Sequence, residues 1–573
     1  MSDFVLLPAS LNRPESDFKY LILFGPLSNQ NETRATYHWD NRKKLLEDHF
    51  LILNLYEDYL ERLTLGLNNL NDIQKNKEYW RIIIGPWLYY FISIVFDRFE
   101  MIKISSQKYK IRFAELPKYN PKDWVPLDFV DFNKKFNNDD WNYYLFSEIV
   151  KNTKFVNKKE TNNKLYFSTE KIIRGKSFYL KSVLFFLTKF FRNIKRKVVF
   201  VELDISQKHL YKLLFKLRSL SFSYYLRVRP NFKEFNPKQR TKLLEIVNAQ
   251  NSLEKLLDLL IPKNIPLTYI EGFKEVEKKS NKIFPKNADL IMTSNAYFSN
   301  EHFKFWVANQ KNQNTEFWVM VHGGHHGTAL FNGPGKLTEK ISDRFYCWGW
   351  GEFNLPSPKL SDLRAHKVKK KGNKILFIPY SISKYSNHVD SSPISNSFED
   401  CKKMHLDFFY ELKKIKMSEQ VIVRIKKDIK SRNLEEEYSE HLNSNQFLYS
   451  DNEPLVKSIE KSELVIVTYD STVFLEALIL NRPTCLFLRK NFWEMSIHAQ
   501  PFFDCFVSCG ILHYNEKSLA NHISKYKDNF EIWWCTKEVQ EAKNSFVKKF
   551  GLSSDNWNED WYNEINNFLV KKK

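Results

Sequence analysis

The stretch LVIVTYDSTVFLEALILNRPTCLF, residues 464–487, decides the fold of the C-terminal half of the chain. A short apolar run ends at Tyr469, a polar turn follows, and an apolar segment of helical length leads through Arg482-Pro483 into a second apolar run. A strand, a helix and a strand at this spacing are typical of parallel strands joined by a crossover helix. The stretch therefore predicts an α/β unit.

The same alternation continues upstream of this stretch. The apolar runs KILFIPY, QVIVRIK and QFLYS read as further strands, and helices are expected near residues 398–416, 454–462 and 471–481. Alternating strands and helices predict a doubly wound, Rossmann-like domain over residues 374–573.

A second series of the same kind precedes it. The runs KVVFVELDI, ADLIMTSNAYF and EFWVMVHGG read as strands, with NEHFKFWVANQKN as a helix between two of them. This predicts a Rossmann-like sheet over about residues 196–350. The charged segment SPKLSDLRAHKVKKKGN, residues 357–373, reads as the linker between the two series.

The first third of the chain has a different pattern. One short strand, KYLILFG, precedes two long aromatic-rich helices, which predicts a helical elaboration over about residues 30–195 within an N-terminal domain of residues 1–356. The apolar run at 82–96 is too short to span a membrane and reads as a buried helix. Residues 177–197 mix aromatic and basic side chains, as in a core helix with a solvated basic end or an interfacial amphipathic helix.

The net charge of +21, from 88 Lys and Arg against 67 Asp and Glu, would attract nucleic acid, an anionic membrane or phosphate-bearing substrates. A Lys- and Asn-rich composition that reflects codon bias is the plainer explanation. No RRM, KH or helix-turn-helix signature accompanies the charge, which disfavours nucleic acid. Six cysteines without a CxxC pair and an N-terminus without a basic n-region indicate a reduced, cytoplasmic setting.

The first candidate site is the loop after the strand EFWVMV. Glycines at the carboxyl end of a strand let backbone N–H groups approach an anion, and an imidazole can act as a general base near neutral pH. A metal site and a structural turn are the alternatives, but no Cys, Asp or Glu accompanies the histidines at a ligand spacing. We predict a substrate-facing loop without metal, formed by His322, Gly323, Gly324, His325, His326 and Gly327.

The second candidate site is the polar turn inside the opening stretch. Asp470, Ser471 and Thr472 follow a strand and precede a helix, so hydroxyls and free helix N–H groups can bind a phosphate at the positive end of the helix dipole. An ordinary helix cap is the simpler alternative. Glu476 disfavours it, because a carboxylate in so apolar a helix needs a polar partner such as ribose hydroxyls.

The third candidate site is Arg424 with Lys426, at the end of the strand QVIVRIK. Cations at the carboxyl end of a strand can neutralise a pyrophosphate without a divalent ion. A solvated basic turn is the alternative interpretation. Their place in the same predicted sheet as the 470–472 turn favours a role in phosphate binding.

These motifs together resemble a family. HGGHHGT, ISDRFYCWGWG and VTYDSTVFLEALILNRPT resemble bacterial surface-carbohydrate transferases with a GT-B-like fold, relatives of the capsule-polysaccharide Kdo transferases and the CDP-glycerol glycerophosphotransferases. YWRIIIGPWLYYFISIVFDRFEMI is similar to a segment of one transferase branch of that group. The resemblance implies two Rossmann-like domains facing a cleft, with the acceptor on the 1–356 side and a nucleotide donor on the 374–573 side.

The resemblance also implies roles for single residues. His322 would face the acceptor as the base, while Ser471, Thr472 and Glu476 would hold the nucleotide. Many relatives carry an R-x-H-P element where this chain has Arg424-Ile425-Lys426-Lys427, so Lys426 supplies charge without the proton chemistry of histidine. His325 is the alternative base, and Asp343 is a candidate either to orient an imidazole or to act as the base itself.

We therefore expect a metal-independent glycosyltransferase or sugar-phosphate transferase of surface polysaccharide or capsule biosynthesis. It would need no cofactor and would move a sugar from a CMP- or CDP-linked donor to a glycan or lipid-linked acceptor, in the cytoplasm or at the inner face of the membrane. A nucleotide-sugar epimerase, which needs no acceptor, and a non-enzymatic basic module for nucleic acid or anionic lipid are the alternatives.

Overall fold

The computed structural model describes residues 3–10, 18–166, 196–219, 235–244, 251–311, 313–364, 366, 372–380, 382–426 and 433–572. Within these residues, sixteen strands form three sheets, and every neighbouring pair of strands is parallel. Because crossover connections cover the faces of parallel sheets, this is an α/β fold.

The N-terminal sheet has the order β3-β2-β1-β4-β5 and consists of β1 (Phe4–Ala9), β2 (Lys19–Phe24), β3 (Glu32–Arg34), β4 (Ile111–Lys118) and β5 (Lys158–Lys164). The accompanying helices are Arg42–Asn71, Lys77–Lys108, Phe129–Lys135 and Asp139–Asn152. Only β2 was expected from the sequence. The helical elaboration expected over about 30–195 contains the two long helices and, in addition, the strands β3, β4 and β5, which the sequence analysis did not predict.

The central sheet has the order β10-β9-β8-β7-β6 and consists of β6 (Arg196–Val201), β7 (Ala288–Thr293), β8 (Glu316–Met320), β9 (Arg344–Cys347) and β10 (Phe353–Asn354). The three strands expected from the sequence, β6 to β8, are all present. The helices of this region are Gln207–Lys216, Pro237–Arg240, Ser252–Asn264, Phe273–Ile283, Ala296–Ser299, Glu301–Lys311, His325–Thr328 and Gly333–Ile341.

The C-terminal sheet consists of β11 (Lys374–Ile378), β12 (Val421–Ile425), β13 (Phe447–Tyr449), β14 (Ser462–Val467), β15 (Thr484–Phe487) and β16 (Leu512–His513). Its order, β13-β12-β11-β14-β15-β16, is that of a Rossmann sheet, with the change of direction between β11 and β14. Ligands of such sheets bind at the carboxyl ends of those two strands.

The helices of the C-terminal region are Pro358–Arg364, Phe398–Lys414, Leu434–Tyr438, Leu455–Glu460, Thr472–Ile479, Gln500–Ser508, Glu516–Tyr526, Glu531–Trp534, Lys537–Phe550 and Trp557–Lys571. The first of them falls in the expected linker, and its Leu360 is buried in the core of the C-terminal sheet. The last helix returns to the central sheet, where Trp561 and Ile565 pack with Phe200 and Trp318.

Helix Lys77–Lys108 is long and apolar enough to cross a membrane, but its most apolar window is entirely buried inside the protein. The expected buried helix over 82–96 is thus confirmed. The helix continues through Pro86, which has no N–H to donate to the preceding turn. The aromatic and basic segment 177–197 lies outside the described residues apart from its last two positions.

Candidate functional site

The candidate site lies where the carboxyl ends of β8 and β14 meet. The histidine loop, residues 322–327, follows β8, and the 470–472 turn follows β14. The backbone N–H of Gly324 donates a hydrogen bond of 3.1 Å to Oγ1 of Thr472. The two motifs that the sequence singled out, 148 residues apart, are therefore in direct contact. Loops that follow strands of the central and C-terminal sheets thus meet at this point.

Gly324 is the point of closest approach between the two motifs. A Cβ atom at this position would lie 2.8 Å from Leu475 Cδ1 and 3.1 Å from the backbone nitrogen of Thr472. Real side chains do not tolerate the shorter of these distances without a shift of the neighbour. A glycine here allows the loop to rest on the first turn of helix Thr472–Ile479.

His325 is enclosed by two carboxylates of the C-terminal sheet. Its Nε2 lies 3.1 Å from Asp390 Oδ1, and its Nδ1 lies 3.8 Å from Asp470 Oδ2. The imidazole is 13% exposed and the two carboxylates are 10% and 2% exposed. Asp390 and Asp470 come from the loops after β11 and β14, the two strands at which the C-terminal sheet changes direction. His325 thus enters the crevice where such a sheet binds its ligand.

The two carboxylates decide the charge of His325. Burial disfavours an imidazolium, but Asp390 and Asp470 outweigh burial and raise the pKa of His325 to about 10. Burial alone would raise the pKa of Asp390, yet His325 and His388 hold that pKa below its ordinary value. At neutral pH His325 is therefore an imidazolium paired with a carboxylate, and it has no lone pair with which to accept a proton.

His322 lies at the other end of the loop and is accessible to solvent. Desolvation by the surrounding protein lowers the pKa of His322 below its ordinary value, and the charge of Asp204 opposes this effect. A histidine that is neutral near pH 7 can accept a proton. Of the two candidate bases, His322 has the protonation state that a base requires.

His326 directly follows His325 in the chain, and the ring centroids of His322 and His326 are 6.0 Å apart. Burial and the neighbouring His322 and His325 lower the pKa of His326 to about 3. His326 is consequently a neutral packing residue of the loop at physiological pH.

The histidine loop is also tied to the segment after β15. Thr328 donates a hydrogen bond to Asp470, and the backbone N–H of Ser496 donates to the carbonyl of Thr328 at 2.8 Å. An antiparallel bridge joins Ala329 to Met495. The ring of Trp493 lies edge-on to His325 at 5.6 Å. Three loops of the C-terminal sheet therefore surround one loop of the central sheet.

The 470–472 turn has the features expected of an anion site. Ser471 is the N-terminal cap of helix Thr472–Ile479, but its side chain makes no capping hydrogen bond to that helix. The hydroxyl of Ser471 and the N–H groups of the first turn are thus not committed to each other. The positive end of the helix dipole adds to this arrangement.

Glu476 lies on the same helix and is 4% exposed. The sequence predicted a polar partner for this carboxylate, and the structure provides Lys359, whose Nζ lies 2.6 Å from Oε1. Lys359 belongs to helix Pro358–Arg364 in the expected linker. Burial of Glu476 is therefore compensated within the protein, and a ribose contact stays a prediction.

Arg424 has a different role from the one expected. It donates to Ser458 Oγ at 2.8 Å and to the carbonyls of Glu453 and Ser450 at 2.7 and 3.3 Å. Burial lowers its pKa, although several acidic groups oppose the effect. The guanidinium thus organises the connection after β13. Lys426 follows β12 as an exposed residue at the edge of the described chain, and its phosphate role stays a prediction.

The expectation that Asp343 orients or replaces a catalytic imidazole is wrong. Its Oδ2 accepts a hydrogen bond of 2.7 Å from the backbone N–H of Phe317, and its Oδ1 accepts one of 2.8 Å from Lys311. Phe317 lies at the amino end of β8, whereas the histidine loop follows the carboxyl end. Asp343 therefore lies at the amino ends of the strands of the central sheet, away from the histidine loop at their carboxyl ends.

Sequence reasoning missed Asp390 and His388, whose Nε2 lies 3.8 Å from Asp390 Oδ2. Both belong to the segment HVDSS, which has no periodicity and no motif of its own. One signal was present. The segment follows the first strand of a predicted Rossmann-like series, and polar side chains after that strand are candidates for the ligand crevice.

One further cluster of potential metal ligands occurs within the described residues. The ligand atoms of Cys485, His513 and His522 lie within 4.8 Å of one another. Both ring nitrogens of His513 already have hydrogen-bond partners, Ser518 and the carbonyl of Gly510. The cluster lies on β15, β16 and helix Glu516–Tyr526, outside the loops of the candidate site.

Comparison with known proteins places the chain in a family. The sequence model of the LIC12162 family transferases matches residues 24–565, whereas no curated protein matches. Two solved structures are similar at 10% sequence identity. The wall teichoic acid polymerase TagF matches over 69% of this chain and 94% of its own, with a TM-score of 0.31. The α,α-trehalose 6-phosphate synthase from Burkholderia multivorans matches over 66% of this chain and 100% of its own, with a TM-score of 0.35. Neither similarity identifies a substrate. Because the family match spans most of its length, the chain belongs to the LIC12162 family of transferases.

Proposed function

We propose that the protein is a glycosyltransferase, or a related sugar-phosphate transferase, that uses a nucleotide-activated donor. The observation that carries this proposal is the contact between the histidine loop and the 470–472 turn. This contact brings His322, which can accept a proton, close to the 470–472 turn, which can bind a phosphate. Both follow the carboxyl ends of parallel strands. Transfer from a phosphate leaving group to a hydroxyl needs both.

The donor phosphate would bind at the 470–472 turn. Ser471 supplies a hydroxyl that caps no helix N–H, and the first turn of helix Thr472–Ile479 supplies N–H groups and the positive end of a dipole. Arg424 is engaged elsewhere, so the helix and its hydroxyls carry the main share of phosphate recognition. Lys426 would add charge from the end of β12.

The base is His322. Its lone pair would accept the proton of the attacking acceptor hydroxyl while the new bond to the sugar forms. The bond between the sugar and the donor phosphate breaks, and its electron pair leaves on the phosphate oxygen. Fixed dipoles at the helix terminus stabilise that negative charge. His325 serves as a positioning residue, because its charge is committed to Asp390 and Asp470.

The finer identity of the substrates is part of the proposal. The resemblance to the capsule-polysaccharide Kdo transferases and the CDP-glycerol glycerophosphotransferases favours a CMP- or CDP-linked donor and a surface glycan or lipid-linked acceptor. The net charge of +21 favours peripheral attachment to the anionic inner leaflet of the membrane. In this proposal, the dipole of the helix and the side chains at the 470–472 turn stabilise the leaving group without a metal ion or a cofactor.

A thermal-shift panel with CMP, CDP, UDP and GDP at fixed salt tests the donor site. One nucleotide is expected to raise the melting temperature, and Ser471→Ala is expected to abolish that shift. Thr536→Ala is the matched control, because Thr536 caps helix Lys537–Phe550 and likewise makes no capping bond. Absence of a shift with every nucleotide would contradict the proposal, and donor turnover without any acceptor would favour an epimerase.

A further inference from the structure

The loop that carries Asp390 is buried although it has little regular structure. The β11 loop, residues 382–397, joins β11 to helix Phe398–Lys414, and most of its residues are inaccessible to solvent. Buried irregular backbone is costly unless its polar groups find partners. The partners of this loop come largely from the N-terminal region, which the sequence did not connect with the site.

Asn396 docks one end of the β11 loop on the N-terminal sheet. Its Oδ1 accepts a hydrogen bond of 3.1 Å from the backbone N–H of Gly25, and its Nδ2 donates one of 2.7 Å to the carbonyl of Leu23. These are the backbone groups at the carboxyl end of β2. Gly25 has φ +84°, a conformation that favours glycine. Ser397 adds a hydrogen bond of 2.6 Å to Asp40.

Arg98 holds the other end of the β11 loop from helix Lys77–Lys108. Its Nη1 donates to the carbonyl of Ser386 at 2.6 Å and to Asp97 at 2.5 Å, and its Nη2 donates to Asn142 at 2.9 Å. The guanidinium is 2% exposed and lies 5.5 Å from the ring centroid of Tyr385. A buried charge with this many partners fixes the backbone that it contacts.

Further contacts of the same kind hold other residues of the β11 loop. Tyr385 donates to Asp139 and Ser383 donates to Asn137, both at 2.6 Å, and Arg42 donates to the carbonyl of Ser392 at 3.2 Å. Every donor or acceptor on the N-terminal side comes from the first 152 residues of the chain. Asp390 lies inside the loop that these contacts hold, and it faces His325 at 3.1 Å.

We propose that the N-terminal sheet and its long helices act as a positioning unit for the β11 loop, with Arg98 as the residue that sets the place of Asp390 and, through Asp390, of His325. Arg98 touches neither the histidine loop nor the 470–472 turn in the described contacts, so it acts through the loop backbone. A role of Arg98 in catalysis rests on the proposed function. The mechanical claim, that Arg98 holds the β11 loop and Asp390 in place, does not.

Hydrogen–deuterium exchange of the full-length protein tests the mechanical claim. Arg98→Lys keeps the charge beside Asp97 but cannot reproduce the forked contacts with Ser386 and Asn142. We expect amides of residues 382–397 to exchange at least about tenfold faster in this variant. Equal exchange in wild type and variant would overturn the proposal.

Arg240→Lys is the matched control. Arg240 is 2% exposed, pairs with Glu271 at 2.7 Å and donates to the carbonyls of Pro262 and Ile265, yet it contacts no residue of the β11 loop among its described bonds. The Arg240→Lys variant should be less stable than the wild type, but the amides of residues 382–397 should not exchange faster. If both variants accelerate that segment equally, Arg98 is merely structural. Should Arg98→Lys fail to fold, Asn396→Ala is measured in its place, with the same expected and contradicting results.

A second measurement follows the consequence for His325. In protein labelled with ¹⁵N-histidine, Arg98→Lys should shift the imidazole titration of His325 toward the ordinary range of histidine, whereas Arg240→Lys should not. An unmoved His325 titration would overturn the link through Asp390. Neither measurement needs turnover, so failure of the transferase proposal and failure of this one give different results. If transfer is observed, Arg98→Lys should lower kcat more than it changes KM.

Discussion

His322, at the start of the histidine loop, and His325, toward its end, are only three residues apart and have opposite electrostatic environments. At one end, His322 is accessible and its pKa is lowered by desolvation. At the other end, His325 is enclosed by Asp390 and Asp470, and its pKa is raised to about 10. The same side chain in the same loop thus favours the neutral form in one place and the cation in the other. Carboxylates from a distant part of the chain make the difference.

The largest effect is expected for His322→Ala. Removal of a general base lowers kcat by about 10²- to 10⁴-fold, because the hydroxyl must then lose its proton without help. Donor binding, measured by the nucleotide-induced thermal shift, should persist since the 470–472 turn is untouched. Turnover equal to that of the wild type would show that His322 is not the base. The difference in environment between His322 and His325 would then have no role in catalysis.

The next effect is expected for Asp390→Asn, which keeps the shape of the side chain but removes its charge. Breaking a buried ion pair costs about 3–5 kcal/mol, and we expect the lower end because Asp470 still faces the imidazole. The free energy of unfolding in urea measures this cost. Asp555→Asn is the control, since Asp555 pairs with Arg364 at the surface and is 74% exposed, where such a pair is worth at most about 1 kcal/mol. Equal costs for the two variants would refute an enclosed charge at His325.

A smaller effect is expected for Gly324→Ala, which tests the contact between loop and turn. The added methyl group would meet Leu475 at 2.8 Å and the backbone of Ser471 and Thr472 at 3.1 Å, so unfolding should become easier by about 1–3 kcal/mol. Gly323→Ala is the matched control. There the nearest atom is His326 Cδ2 at 3.2 Å, a distance at which the neighbour must shift by only a few tenths of an ångström. A larger cost at Gly323 than at Gly324 would contradict the contact as described.

The stability of the protein should also depend on pH. A folded-state pKa of about 10 for His325 means that its contribution is complete below about pH 6.5 and is lost as the pH rises through about 10. At acidic pH, His49 and His326 have the opposite effect, because their pKa values are lowered to about 4 and about 3 in the folded protein. The free energy of unfolding should therefore fall as the pH drops from about 6.5 toward those values. Urea unfolding across this range measures both effects. His325→Gln should flatten the alkaline loss only, and an unchanged alkaline loss would contradict the assignment.

Much of the fold could be predicted from the sequence. Strands β6 to β8 and β11 to β15 carry continuous apolar runs because both faces of a parallel sheet are covered, and such runs separated by helices are easily recognised. The N-terminal sheet could not be predicted in the same way. Strand β5, KKETNNK, is almost entirely exposed at the sheet edge and so has no apolar pattern. Strand β1 contains Pro8, and β4 mixes apolar with charged side chains, so both give weaker strand signals.

The sequence alone singled out the two motifs of the candidate site, because strand ends, glycines and helix caps are local features. Only the tertiary structure decided what the individual side chains do. It placed Asp343 at the far edge of the central sheet, engaged Arg424 in a neighbouring loop, and brought Asp390 to His325 from a buried segment held by the N-terminal region. The physical reason is that the charge state of a histidine depends on which carboxylates approach it through space, and no local pattern in the chain records that approach.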